Sequence, residues 1–418
     1  MIKTVKRGYA LAFLSLLPIV LMADAAIRLD AALLHPRDDV ATALVALPAG
    51  RTLTLQVDSR ARDVTIAESV PAGHKFAVRA LGAGRRIRKY GEFIGRMTQD
   101  AAPGAWVHSH NLVTSAVRSI GDERAWRTQS AAASIRPMGD ARCARGAAPV
   151  LDPQAMRLHW VDAGTTSFWT CDLAQGTATS IALPAAARAA ALGRDGVVVA
   201  IDGGLVTVDR ATSRISATMH VTLPTNHVWT ALAPDARGRV WGTIAVAGSR
   251  AADGVAGIAQ AGVFDARVER LLAPEGLAWS RDGTALYVAE AGRAAILHCN
   301  VDPIDGGVRA QRTFADLGTM PGEVGGLAID GEDHLWAAMS EAGCLVRFAP
   351  DGTIDRVMRV PVSNPTACVF GDEGNARLFV TSAATLDTSR AEPLAGATLE
   401  LDVGVGGAAP ITVAVMPS

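Results

Sequence analysis

Lysine is nearly missing from this chain of 418 residues: Lys3, Lys6, Lys75 and Lys89 are the whole set, and the remaining positive charge is arginine. That scarcity removes most candidates for Schiff-base chemistry, and only Lys75 and Lys89 fall in a region that reads as folded. Cysteine is sparse as well. Cys143, Cys171, Cys299, Cys344 and Cys368 are odd in number, widely spread, and never at the short spacing of a zinc knuckle or redox dithiol. No disulfide framework is implied, and the thiols read as small buried hydrophobes in a reducing compartment. Net charge is missing too, with 40 Lys+Arg against 41 Asp+Glu. No general field therefore draws the chain to nucleic acid or an anionic membrane. No strand-to-helix Gly-rich loop offers a phosphate cradle, and Ser382 near Asp387 has no histidine in local company for a nucleophilic triad.

What is present begins with a leader-like segment. Residues 1–25 carry Lys3, Lys6 and Arg7, an apolar run from Ala10 to Met22, and the small-residue stretch Ala23-Asp24-Ala25. This reads as a secretory signal or as an over-long start whose true initiator is Met22, and it is set aside from the fold. The run is short and proline-interrupted, so no membrane span is expected. The cytoplasm is the expected compartment, with the periplasm or secretion as the alternative if the leader is real.

From residue 30 to 113 the chain reads as a small β domain, with strands Thr52–Val57, Val64–Ile66, Lys75–Arg79 and Trp106–His108 between Gly-containing turns. The stretch Asp38-Asp39-Val40-Ala41-Thr42-Ala43-Leu44 reads as one short helix capped by an aspartate. Three phrases stand out: Pro71-Ala-Gly-His-Lys75, Ile87-Arg-Lys-Tyr-Gly-Glu-Phe-Ile-Gly95 and Gly104-Ala-Trp-Val-His-Ser-His-Asn111. Together they resemble the SAF-type N-terminal domain of altronate and galactarate dehydratases. The resemblance implies a lyase-associated module that works with a much larger catalytic part, here absent, which in some relatives is a separate subunit. His74, His108 and His110, with Lys75 and Glu92, form the polar inventory. His108 and His110, two apart, would share one face of a strand, where paired imidazoles bind a metal or a substrate carboxylate; the plainer alternative is a solvent-facing set that orders the Gly104 loop.

Residues 114–138 are rich in Ser, Ala and Arg and read as a linker. From 139 to 418 the sequence repeats, and the centres Trp160, Val199, Trp241, Tyr287, Trp336 and Phe379 lie 39, 42, 46, 49 and 43 residues apart. Six copies near the length of a four-stranded blade, without helical periodicity between them, predict a six-bladed β-propeller, because each blade's apolar face must be covered by a neighbour. The central aromatics then pack between blades. The whole chain is expected to be mainly β.

The phrases Gly146-Ala-Ala-Pro-Val-Leu-Asp-Pro153, Asp235-Ala-Arg-Gly-Arg-Val-Trp-Gly-Thr243, Ala273-Pro-Glu-Gly-Leu-Ala-Trp-Ser-Arg-Asp-Gly283 and Asn364-Pro-Thr-Ala-Cys-Val-Phe-Gly371 resemble successive blades of the regucalcin/gluconolactonase family. The resemblance implies hydrolysis of sugar lactones with one divalent metal, Ca²⁺ or Zn²⁺, at the channel mouth. The cation would polarise the lactone carbonyl beside a carboxylate that takes a proton. On this chain the implied ligand positions are Ala147, Glu275 and Gly325, and a substrate-contacting position falls at Thr230. Two of the three ligands are lost, so a working site would have to be rebuilt from Glu275 and Glu323, or with help from Glu290 or His227.

Both halves point to sugar-acid and sugar-lactone chemistry in carbohydrate metabolism, with a small-molecule sugar acid or lactone as ligand. One reading is a lactone hydrolase with an altered metal site of Glu275 and Glu323, fused to a dehydratase-type domain with a substrate-contacting set of His74, His108, His110 and, in the propeller, Thr230. The other is a non-catalytic accessory or substrate-binding subunit that docks with a separate dehydratase large subunit.

Overall fold

The computed structural model describes residues 30–57, 60–83, 85–89, 92–108, 110–113, 130–132, 134–248, 253–318, 320–371, 376–385 and 392–414. The leader-like segment and most of the linker fall outside them. Every regular element described is a strand, and no helix among the described residues is long and apolar enough to cross a membrane.

The N-terminal part is built from three small sheets. Ala31–Ala32, Val40–Ala43, Lys75–Ala77 and Trp106–Val107 form one antiparallel sheet, Thr52–Val57 and Arg60–Thr65 a hairpin, and Arg86–Lys89, Glu92–Met97 and Leu112–Val113 a third. Two apolar clusters hold them, one around Phe76, Val64 and Ile66, the other around Ile87, Leu81 and Val107. The helix expected after Asp38 is not there; Val40–Ala43 is a strand, paired with Lys75–Ala77 on one side and Ala31–Ala32 on the other. Its aspartate does not cap. Asp39 is buried and accepts from the Arg88 backbone N–H at 3.0 Å and from Arg85 Nη2 at 3.1 Å. A tertiary partner for the carboxylate outweighs the local capping preference. Gly104 is required by close approach: its φ is +80°, and a Cβ there would sit 1.9 Å from the Thr65 carbonyl oxygen.

The rest of the chain makes six consecutive sheets. The first four are simple meanders of four strands, beginning with Gly146–Asp152, Ala187–Leu192, His227–Pro234 and Pro274–Trp279. The fifth begins with Glu323–Ile329 and ends with Ile354–Arg359, which Ser130–Ala131 extends in parallel. The sixth begins with Pro365–Phe370, and its fourth strand is Ile135–Pro137, paired with Leu399–Asp402. Residues read from sequence as linker thus supply edge strands, which ties the start of this region to its end.

Each repeat centre falls in the second strand of its sheet and is buried. The apolar clusters explain the packing: one lies between each pair of successive sheets, and the cluster around Trp160 and Phe379 joins the first sheet to the sixth. First strands contact one another in the same cycle, including Gly146–Asp152 with Pro365–Phe370. At the end of the first strand in two sheets, a buried aspartate fixes the repeat aromatic: Asp235 accepts Trp241 Nε1 at 3.0 Å and Asp330 accepts Trp336 Nε1 at 2.8 Å. All five cysteines are free and buried, and burial pushes their thiols up to about 11 or 12.

After Asp402 the chain runs along the turns at the far ends of these first strands. Gly331 N–H donates to Gly406 O at 2.8 Å, Val413 N–H to Leu192 O at 2.7 Å, and Ala414 N–H to Gly238 O at 2.7 Å. These turns belong to the fifth, second and third sheets. The tail thus bonds to the far ends of three different sheets.

Candidate functional site

The opposite end, at the starts of the first strands, is open and holds a cavity of about 370 Å³. What shapes it is a recurring β-bulge. Each first strand has its register shift within its first five residues, between Ala147 and Val150, Ala187 and Ala189, Trp229 and Ala231, Pro274 and Gly276, Val324 and Leu327, and Pro365 and Ala367. A bulge leaves residues out of the ladder and re-aims them. The extra residues, Ala148 with Pro149, Arg188, Thr230, Glu275, Gly326 beside Gly325, and Thr366, bring a lining residue from every sheet to one ring.

The ring has a defined chemistry. Its charged members, with the neighbouring Arg145, are two guanidiniums and one carboxylate. Arg145 Nη2 donates to Glu275 Oε2 at 2.7 Å, an ion pair that joins the segment ahead of the first sheet to the first strand of the fourth. Asp162 anchors that side, accepting the Arg145 backbone N–H at 2.8 Å. Arg188 is held by Asp202 through a two-bond fork at 2.8 and 2.9 Å, and this partner raises the proton affinity of its guanidinium. The Thr230 and Thr366 hydroxyls lie 2.8 and 2.9 Å from those of Thr243 and Thr381.

Of the residues singled out from sequence, Ala147, Thr230 and Glu275 are brought together here. Glu323 opens its strand opposite Ser340 and does not line the cavity. Glu290 is fully buried and engaged by Leu272 N–H at 2.8 Å and Arg293 Nη1 at 2.6 Å. His227 precedes the lining segment, with Nδ1 3.0 Å from the Thr225 carbonyl. Gly325 has no room for a side chain, since a Cβ would lie 2.3 Å from the Thr366 carbonyl; at Gly326 it would lie 2.4 Å from Ala367 Cβ.

The residues present therefore do not fit a divalent cation. A hard ion needs several oxygens, yet Ala147 offers none, the fifth sheet has space for none, and Glu275 is already paired with a guanidinium. Among the described residues no three His, Cys, Asp or Glu side chains gather to hold a metal.

The N-terminal histidines do come together, though not on a strand. The strand stops at Val107, because Asn111 folds back, accepting the His108 N–H at 2.9 Å and donating to the Trp106 carbonyl at 2.8 Å. His108 and His110 lie in the turn that follows. His74 and His108 ring centres are 4.9 Å apart, and those of His108 and His110 6.4 Å, around Trp106. The side chain of Glu92 lies outside the described residues.

Arg145, Arg188 and Thr366 were not foreseen. A signal for two of them exists in the sequence: Arg188, Thr230, Glu275, Gly325 and Thr366 each stand 11 to 13 residues ahead of their repeat centre. Aligning the copies on those centres would have marked Arg188 and Thr366.

Comparison with known proteins agrees with both halves. Residues 145–384 match the SMP-30/Gluconolactonase/LRE-like region, and residues 30–115 match the altronate/galactarate dehydratase SAF domain. Pentonolactonase XacC of Haloferax volcanii is 28% identical over 284 residues, covering 64% of this chain and 94% of that protein. The (2R)-sulfolactate sulfo-lyase subunit alpha of Paracoccus pantotrophus is 47% identical over 51 residues, 12% of this chain and 76% of that subunit. Among solved structures, the calcium-binding protein regucalcin of Agrobacterium tumefaciens superposes with a TM-score of 0.62 at 24% identity, over 68% of this chain and 98% of its own. The chain belongs to the SMP-30/gluconolactonase/LRE-like family and carries, ahead of that region, an altronate/galactarate dehydratase-type SAF domain.

Proposed function

We propose that the six sheets are the blades of a closed six-bladed propeller over residues 139–418, and that its cavity is a binding site for a sugar acid or sugar lactone. The observation that carries this is the ring of bulged residues, which sets hydroxyls, guanidiniums and one carboxylate around a cavity of sugar size while leaving no divalent-metal donor set. Polyols are recognised by such convergent donors and acceptors in a concave site. Residues 30–113 act as a dehydratase-type module that docks with a separate large subunit, a role supported by the likeness to a lyase subunit alpha. Five free thiols suit a reducing compartment and support a cytoplasmic protein; sequencing the mature N-terminus distinguishes this from export.

The test is calorimetric titration of the full chain with D-galactonate and D-galactono-1,4-lactone. Saturable binding of at least one, abolished by filling the cavity with Ala190→Trp, is expected; no binding of either overturns the reading. A second reading, lactone hydrolysis, is favoured by the likeness to a pentonolactonase over most of that protein's length. It would use Glu275, with Glu323 rearranged and Ca²⁺ or Zn²⁺ recruited. Proton release from lactones that rises on adding Ca²⁺, Zn²⁺ or Mn²⁺ would establish it in place of the first.

A further inference from the structure

We propose that this cavity selects the open-chain acid over the neutral lactone, because Arg145 and Arg188 form a two-point clamp for a ligand carboxylate. The inference rests on the cavity being the sugar site, and narrows it to aldonates.

Both arginines flank one turn. Ala163 N–H donates to the Arg145 carbonyl at 2.8 Å and Gly164 N–H to the Ala187 carbonyl at 2.9 Å, so the turn ties the two guanidinium-bearing segments side by side. Arg188 Nη1 lies over it, 3.8 Å from where a Cβ on Gly164 would stand. Neither guanidinium is used up. Asp202 takes Nε and Nη2 of Arg188, and Glu275 takes Nη2 of Arg145, leaving Arg188 Nη1 and Arg145 Nε and Nη1 without a partner among the described residues. Guanidinium donors in pairs match the planar carboxylate. With Asp202 counted, the two guanidiniums face two carboxylates, so the preference for an anion over an uncharged ring comes from the open N–H donors of Arg145 and Arg188 rather than from net charge.

The Arg145–Glu275 ion pair then acquires a role. The Arg145 side chain is 55% exposed and that of Glu275 26%, so the pair sits at the rim, where such bridges are weak and readily exchanged. An incoming carboxylate replaces Glu275 on Arg145, which frees the opening while the second point of the clamp, Arg188, stays fixed by Asp202. A lactone has no carboxylate and cannot make this exchange.

Titration of the full chain with D-gluconate and with D-sorbitol, an uncharged polyol of equal length, tests the assignment. Gluconate is expected to bind at least tenfold more tightly than sorbitol, with affinity falling as salt rises. Arg188→Gln and Arg145→Gln should each weaken gluconate about tenfold and weaken sorbitol far less. Arg188→Lys, which keeps the charge but not the fork, should fall between; thermal melts near that of the parent verify that the variants are folded. Equal binding of gluconate and sorbitol overturns the clamp while leaving a sugar site, as does gluconate affinity untouched in both glutamine variants. Binding of neither overturns the clamp and the sugar site together.

Discussion

Glu275→Gln separates the binding reading from the metal reading, because the two predict opposite signs. As a metal ligand, Glu275 is essential and its loss abolishes function. As the partner of Arg145 at 2.7 Å, it competes with the ligand. The magnitude has two parts. The exposed Arg145–Glu275 pair is worth about 0.2–1 kcal/mol and must be broken for a ligand carboxylate to take its place. A bound carboxylate about 6 Å from Glu275 is also repelled by about 0.7 kcal/mol at the dielectric of water, the limit suited to a rim position. Removing the charge recovers about 0.9–1.7 kcal/mol, or about five- to eighteenfold tighter gluconate binding. Calorimetry at low salt measures it, with sorbitol as the uncharged control. Weaker gluconate binding in Glu275→Gln, or an equal gain for sorbitol, would refute the reasoning.

Three further predictions concern the scaffold that holds the site. Asp330 is fully buried and accepts Trp336 Nε1 and Arg347 Nε, both at 2.8 Å; Asp330→Ala should cost about 3–5 kcal/mol in urea unfolding, and a loss under about 1 kcal/mol would show that Glu332 and Asp355 suffice for Arg347. Burial pushes His159 down to about 4 from 6.5, so its folded form is depressed and stability is present above pH 6.5 and lost as pH falls toward 4. The loss amounts to roughly 3 kcal/mol once pH is below 4, and His159→Gln should flatten the fall in melting temperature over that window; an unchanged slope would assign the acid loss elsewhere. Deleting residues 403–418 should speed hydrogen exchange at the amides of Arg194 and Gly331, because their acceptors, the Val413 and Gly406 carbonyls, and the buried Val413 side chain are gone. Unaltered exchange there would mean that the tail merely rests on the surface.

The repeat was legible because it is written in types that water sorts strongly. Trp160, Trp241, Trp336 and Phe379 recur at blade spacing, and all four are fully buried between sheets. The short N-terminal strand at Val40–Ala43 was not legible. An Asp-Asp start before Ala and Leu satisfies local helix rules, and only the distant Arg79, Arg85 and Arg88 turn Asp39 inward. Glu275 was found by resemblance, but its partner was not, since Arg145 lies 130 residues away in sequence.

Sequence alone determined the mainly β composition, the two-part organisation, the burial of the five thiols and the kinship with sugar-acid and sugar-lactone proteins. Each of these follows from local patterns of apolar and turn residues or from short contiguous phrases. The tertiary structure decided what the cavity can hold. One bulge in each of six first strands turns residues from across some 220 positions onto a single ring, and there Arg145 meets Glu275 while backbone contact at Gly325 and Gly326 leaves no room for an acid. Which charges meet depends on sheet packing and strand register, and these are set by contacts between sheets rather than by any single stretch of sequence.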